Sequence, residues 1–220
     1  RLSDDYQNQQ LSAFEVIKVA GETNKIGIIT EALMDYIGEL YQKQASSIFR
    51  LHNFNLLSLN TDYSYFSDEG FIKKITAIMN RYAIPGDFLS FEINEKELGD
   101  HFEEFKPIIA KVKSLGIHIS VDQYTGRFVS LDKVKQLGFE GIKIPRNMIK
   151  DIDVNKANLN ALTDLIKLAN SFELKVTLVG VENKDQYTLI REITSSALIQ
   201  GFYFYAPLEL PRLIEAIRVN

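Results

Sequence analysis

The sequence predicts a parallel α/β barrel, and three observations predict it. Short apolar, β-branched runs alternate with longer amphipathic ones along the 220 residues, the pattern of βα units that feed a parallel sheet. Several strand runs end on a polar or ionisable residue, and in α/β barrels the carboxyl ends of the strands converge on one mouth where binding groups collect. No glycine-rich phosphate loop follows an early strand, which argues against the doubly wound alternative.

Taken in order, the elements read as follows. Ile26, Ile29, Leu33, Ile37 and Leu40 recur at helical spacing, which predicts a helix from Ile26 to Tyr41. The first strand run is Leu56-Leu57-Ser58-Leu59, with Asn60 next. A helix over Phe71 to Tyr82 stops before the turn signal Pro85-Gly86. The strand Phe88 to Ile93 carries Glu92 and runs into Asn94-Glu95. A helix over Phe102 to Leu115 stops at Gly116, and the strand Ile117 to Val121 runs into Asp122. Gly138 precedes the strand Gly141 to Ile144, which holds Lys143. The helix Leu159 to Ser171, the strand Leu174 to Val179, the helix Gln186 to Thr194 and the strand Ala197 to Phe202, with Gln200 inside it, complete the series.

Composition bounds the function. Hydrophobic residues make up 45% of the chain, enough for one core, so residues 1–220 are expected to form a single domain. The formal net charge of -4 excludes a general DNA binder, which needs a basic surface, and leaves room for local cations that hold a small nucleotide. With no cysteine there is no disulfide framework, thiolate metal site or cysteine nucleophile. No apolar run reaches the roughly 18–20 residues that span a bilayer. The stretch Arg1 to Gln10 is polar, so no signal peptide is legible, and the expected location is the cytoplasm. The abrupt start suggests a piece of a longer protein.

The strand-end residues define a chemistry. Asn60, Glu92 and Asp122 are hard oxygen donors suited to Mg²⁺, Mn²⁺ or Ca²⁺. Lys143 can balance their charge, hold a phosphate or orient a water, and metal-assisted phosphodiester hydrolysis is a natural use of such a set. Taken singly, each residue also reads as an exposed strand end or as half of a structural ion pair with Lys143. The histidines, His52, His101 and His118, show no metal spacing, and His118 reads as a packing or partner-bonded residue. Tyr63, Tyr65, Phe66, Phe102 and Phe105 read as packing residues.

At these positions the sequence resembles the EAL-domain family, whose active members hydrolyse cyclic di-GMP. The likeness runs from about Phe14 to Leu213 and opens with Ala20-Gly21-Glu22-Thr23-Asn24 and the helix behind it. Ser58-Leu59-Asn60 resembles the strand that ends in a metal-binding Asn. Phe91-Glu92-Ile93-Asn94-Glu95 resembles E-[IL]-T-E, and the segment from Val121 to Leu131 lies where the family has D-D-F-G-T-G-Y-S-S-L. Ile142-Lys143-Ile144-Pro145 stands at K-I-D, Leu178-Val179-Gly180-Val181-Glu182 at A-E-G-V-E, and Gln200 to Leu208 at Q-G-[YF]-x-F-x-x-P-L. The resemblance implies a TIM-like (β/α) barrel and bacterial second-messenger signalling. It implies Asn60, Glu92 and Asp122 as a residual metal site for Mg or Mn if any metal is bound. It also implies Lys143, Gln200, Pro207 and Glu182 as ligand-binding residues, with Lys143 catalytic only in an active enzyme. Arg127 and Arg146 stand where they can meet phosphate.

The departures carry as much weight. Gln123 replaces the second Asp of D-D, Val179 replaces the Glu of A-E-G-V-E, and Pro145 replaces the Asp of K-I-D. The name-giving motif is spelled by Glu31-Ala32-Leu33, but at helical spacing inside Ile26 to Tyr41, so that match is coincidence. The family's own motif strand falls before Arg1. The expectation is therefore a degenerate, non-catalytic domain that binds cyclic di-GMP as a receptor or serves protein interaction. One alternative is an active metal-dependent phosphodiesterase in which Glu95 or Glu182 stands in for a lost acid. The other is a nucleotide-independent dimerisation scaffold. A protein partner or homodimer is the expected assembly.

Overall fold

The computed structural model describes residues 13–23, 25–44 and 56–219. His52 and the stretch Arg1 to Gln10 lie outside the described residues. Two helices come first, α1 (Ala13–Glu22) and α2 (Ile26–Gln44). Then follow β1 (Leu57–Thr61), α3 (Tyr63–Phe66), α4 (Phe71–Tyr82), β2 (Leu89–Asn94), α5 (Glu95–Asp100) and α6 (Phe102–Ser114). The second half comprises β3 (His118–Asp122), α7 (Leu131–Gln136), β4 (Gly141–Ile144), α8 (Arg146–Ile149), α9 (Lys156–Ser171), β5 (Lys175–Val179), α10 (Lys184–Ile193), β6 (Leu198–Gln200) and α11 (Leu210–Val219). Every predicted strand run overlaps an observed strand.

All five strand pairings are parallel and the sheet order is β1-β2-β3-β4-β5-β6. Sequence order and spatial order coincide, so there is no reversal point of the doubly wound kind. The strands form a half-barrel. Among the described residues β1 and β6 each have one strand neighbour, so the sheet is not closed. Its inner face is correspondingly open at both edges: Asn60 is exposed, and Leu198 is 60% exposed.

Period-two alternation sorts the strands into two faces. Leu59, Phe91, Ile93, Ile119, Val121, Ile142, Ile144, Val176 and Leu178 are all buried and form the helix-covered core. They meet Ile75 of α4, Ile109 and Val112 of α6, Val134 of α7 and Ile166 of α9. The alternate residues, Ser58, Asn60, Ser90, Glu92, Ser120, Asp122, Lys143 and Thr177, share the other face through the register of neighbouring strands. The apolar face lies toward the helices and the polar one is the inner face of the half-barrel.

Glu31-Ala32-Leu33 lies within α2, where Glu31 ion-pairs with Lys74 of α4 at 2.9 Å. The literal match is thus a helical surface feature. Tyr65, Phe66 and Phe105 are buried, and Phe66 meets the rings of Phe71, Phe91 and Phe105 edge-on. Tyr63 stacks on His101, centroids 3.9 Å apart, and His118 Nδ1 is bonded to the Glu140 carboxylate. The aromatics pack and His118 has a partner, as expected. One boundary differs: the run Ala197 to Phe202 is strand only over Leu198–Gln200. At Gly201 the chain turns so close to the loop after β5 that a Cβ would stand 2.1 Å from the Val181 carbonyl oxygen.

Candidate functional site

Asn60, Glu92 and Lys143 stand at the carboxyl ends of β1, β2 and β4 on the polar inner face, and Asp122 closes β3. Asn60 is the register partner of Glu92, and Glu92 of Ser120. Ser120 in turn pairs with Gly141, two residues before Lys143. The small residues Ser120 and Gly141 leave space above β3. The Lys143 side chain crosses that space and donates from Nζ to Glu92 Oε2 at 2.5 Å. Both partners are shielded, with side chains 16% and 6% exposed. The sequence-predicted pairing is therefore real, and it spans two strand spacings.

The rest of the mouth is built by close backbone contacts. The Tyr124 N–H donates to the Lys143 carbonyl at 2.9 Å, which ties the loop after β3 to β4. At the other side the N–H groups of Gly180 and Val181 both donate to the Gln200 carbonyl, at 2.7 and 3.2 Å. Gly180 has φ 91°, and a Cβ there would meet Arg146 Cβ at 2.5 Å. Glycine is required by both the dihedral and the contact.

The predicted residues are not all gathered into one ring. Gln200 is exposed at the open edge, and Pro207 is exposed in the segment before α11. Glu182 is engaged with Arg146, whose Nε and Nη2 donate to its two oxygens at 2.7 and 3.0 Å. Arg146 is thereby committed as well. The bidentate pair holds the Glu182 carboxyl below its ordinary range, chiefly through the hydrogen bond from Arg146. Glu95, buried at 1% exposure, accepts from Thr125 N–H and Oγ–H at 2.7 and 2.8 Å and from Phe128 N–H at 3.1 Å. Its role as a clamp for the loop after β3 escaped the sequence reading. The legible signal was a second acid three residues after Glu92, at a helix start, opposite a Thr-Gly turn.

Two positions bring no acid to the mouth. Val179 is the register partner of Gln200 and shares the Lys143 face, because Thr177, two residues earlier, pairs with Lys143. Gln123 is exposed and left-handed, φ 55°.

A parallel half-barrel with an amide, two carboxylates and a lysine at its strand ends defines a class of β/α-barrel domains with polar groups at the carboxyl mouth. Within that class the chain belongs to the EAL family, whose EAL domain model matches residues 3–207. It is 26% identical over 147 residues to the cyclic di-GMP phosphodiesterase NbdA of Pseudomonas aeruginosa, covering 67% of this chain and 19% of that protein. To the signaling protein YkoW of Bacillus subtilis it is 29% identical over 195 residues, covering 88% of this chain and 24% of that protein. The chain thus spans about a fifth to a quarter of these relatives. Among solved structures, the PaMucR phosphodiesterase in complex with c-di-GMP superposes with a TM-score of 0.84 at 19% identity, covering 94% of this chain and 82% of that one. The FimX EAL domain from Pseudomonas aeruginosa bound to c-di-GMP gives 0.80 at 17% identity, covering 91% and 78%. At these identities the structures support the fold alone.

The donor set bears on the metal that the resemblance implies. Glu92 and Asp122 bring charge and Asn60 an amide oxygen, which suits one hard cation. One Glu92 oxygen is already bonded to the Lys143 ammonium. Among the described residues no group of three or more histidine or acidic side chains is close enough to hold a metal. Asn60, Glu92 and Asp122 are the oxygen donors that would hold a hard cation, and such a cation would share Glu92 with Lys143. Among the described residues no helix is long and apolar enough to cross a membrane.

Proposed function

We propose that this domain binds cyclic di-GMP at the inner face of the half-barrel and does not hydrolyse it. The reading rests on one observation: Val179 and Gln123 stand where hydrolysis needs acids, while Glu95 and Glu182 are bonded elsewhere in the mouth. A valine can neither bind metal nor move a proton, so no group at the β5 end activates water. The names of relatives that act on or bind cyclic di-GMP support the choice of ligand.

In this reading Lys143 is a cation for the ligand's phosphates, Arg146 is a second one once it exchanges the Glu182 carboxylate for phosphate, and Gln200 and Pro207 belong to the wall. If a cation binds, Asn60, Glu92 and Asp122 hold it, and it supplies charge to the phosphates. Lys143 keeps Glu92 compensated in its absence. In this reading the domain works in the cytoplasm.

A calorimetric titration with cyclic di-GMP, run in Mg²⁺ and again in EDTA with product analysis, tests the proposal. Binding without linear product supports the receptor. Absence of binding replaces it with a nucleotide-independent scaffold or dimerisation module. Product that disappears in Asp122→Ala establishes an active phosphodiesterase instead.

A further inference from the structure

Among the described residues two tyrosines are almost fully buried, each 2% exposed, and they differ in one respect. The Tyr65 hydroxyl has no hydrogen-bond partner, whereas the Tyr124 hydroxyl donates to the Val129 carbonyl at 3.1 Å. That bond closes residues 125–128 from inside. The backbone allows it because Gly126 turns left-handed, φ 76°, beneath the Tyr124 hydroxyl. Glu95 ties the same segment to α5 through Thr125 and Phe128. Phe128 also rests on Gly99 of α5, where an added Cβ would stand 2.9 Å from Phe128 Cβ. Tyr124, Glu95 and the surface at Gly99 thus hold the segment from three sides.

Tyr124 sits between the two halves of the mouth: its N–H is bonded to the Lys143 carbonyl, and its hydroxyl holds the segment that follows Asp122. We infer that Tyr124 is a positioning residue that keeps segment 125–129 ordered beside the site without metal or nucleotide, so that the mouth is preformed in the free protein. This deepens the receptor reading and rests on it for the ligand. A preformed mouth spares a ligand the entropy of ordering the loop.

Amide hydrogen exchange of residues 125–129, with trypsin cleavage after the exposed Arg127 as a second readout, tests the inference on this chain. The wild-type segment is expected to be equally protected in EDTA, in Mg²⁺ and in Mg²⁺ with cyclic di-GMP. Tyr124→Phe should speed exchange of the 125–129 amides by about three- to tenfold, one hydrogen bond's worth. Exchange in β2 and β5 should stay unchanged, and the lost protection should return only when cyclic di-GMP is added. Glu95→Gln should loosen the same segment and serves as the second variant if Tyr124→Phe speeds exchange everywhere. Wild-type protection that requires Mg²⁺ or cyclic di-GMP overturns the inference, as does exchange in both variants equal to wild type. Failure to bind cyclic di-GMP would overturn the proposed function instead, and the exchange rates without ligand decide the loop by themselves.

Discussion

Lys143 reaches across β3 to donate a hydrogen bond to Glu92, and it does so in a shielded site, the two side chains being only 16% and 6% exposed. Removing one member of such a pair leaves an uncompensated charge, which costs about 3 kcal/mol or more. Lys143→Met is therefore expected to lower stability by about 3 kcal/mol. Lys143→Met with Glu92→Gln should recover most of that loss, because no buried charge remains. Denaturant unfolding of the four members of the cycle measures the coupling, and additive losses would show that the two side chains do not interact.

The Arg146–Glu182 pair governs both access and acid response. Glu182 has its pKa lowered, first by the hydrogen bond from Arg146, and Asp68 has its pKa lowered, first by the hydrogen bond from Lys74. A carboxylate with a depressed folded-state pKa contributes stability above its unfolded value and loses it as pH falls through the folded value. Stability should therefore decline from just above the ordinary glutamate value of 4.5 downward. Glu182→Gln should remove part of that slope. It also frees the Arg146 guanidinium for phosphate, so cyclic di-GMP should bind about three- to tenfold tighter. Calorimetry at neutral pH reads the affinity; weaker binding would mean that the pair holds the mouth in shape and that Arg146 is no phosphate ligand.

Glu97 has the opposite sign. Burial, the largest cause, raises its pKa, and the Asp62 and Asp100 charges add to the rise against the N–H of Tyr63 and the nearby His101. A carboxyl with a raised pKa holds its proton better in the folded state, so its contribution falls as pH rises above 4.5. Glu97→Gln should stabilise the protein at pH 7 by less than about 1 kcal/mol, because the side chain is partly solvated. The gain should vanish near pH 4. Thermal melts at the two pH values check it, and an equal gain at both would assign the effect to packing.

How much of this was legible depends on the range of the interaction. The strands were readable because Leu59, Phe91, Ile119, Ile142 and Leu178 sit in local apolar runs that the helices bury. Asn60, Glu92, Asp122 and Lys143 stood out because each is a polar residue in or just after a local apolar run. The Glu95 clamp and the Arg146–Glu182 pair were not readable as pairs. Their partners lie 30 to 36 residues away, on loops that only the strand register brings together. The end of β6 was missed for a related reason, since Gly201 turns to avoid Val181 and the apolar run gives no sign of it.

Helix ends show the same division. Gly116 and Gly138 take left-handed dihedrals just after α6 and α7, φ 78° and 84°, and glycine announced both stops in the sequence. Ala83 and Glu173 take equivalent dihedrals after α4 and α9, φ 52° and 56°, with no glycine to announce them. An L side chain pays roughly 1 kcal/mol there, and glycine does not. The unfolded chain gives back part of the difference, because glycine is freer. Ala83→Gly and Glu173→Gly should each raise stability by about 0.5–1 kcal/mol. The sites are far apart along the chain, on different helices, so the gains should add. Glu173→Gly also removes the Lys135 ion pair, an exposed contact of 3.3 Å worth little. Ala83→Gly is thus the cleaner measurement, and a lower melting temperature in that variant would show that the α4 stop is held by the Ile84 N–H bond to Met79 instead of by the dihedral.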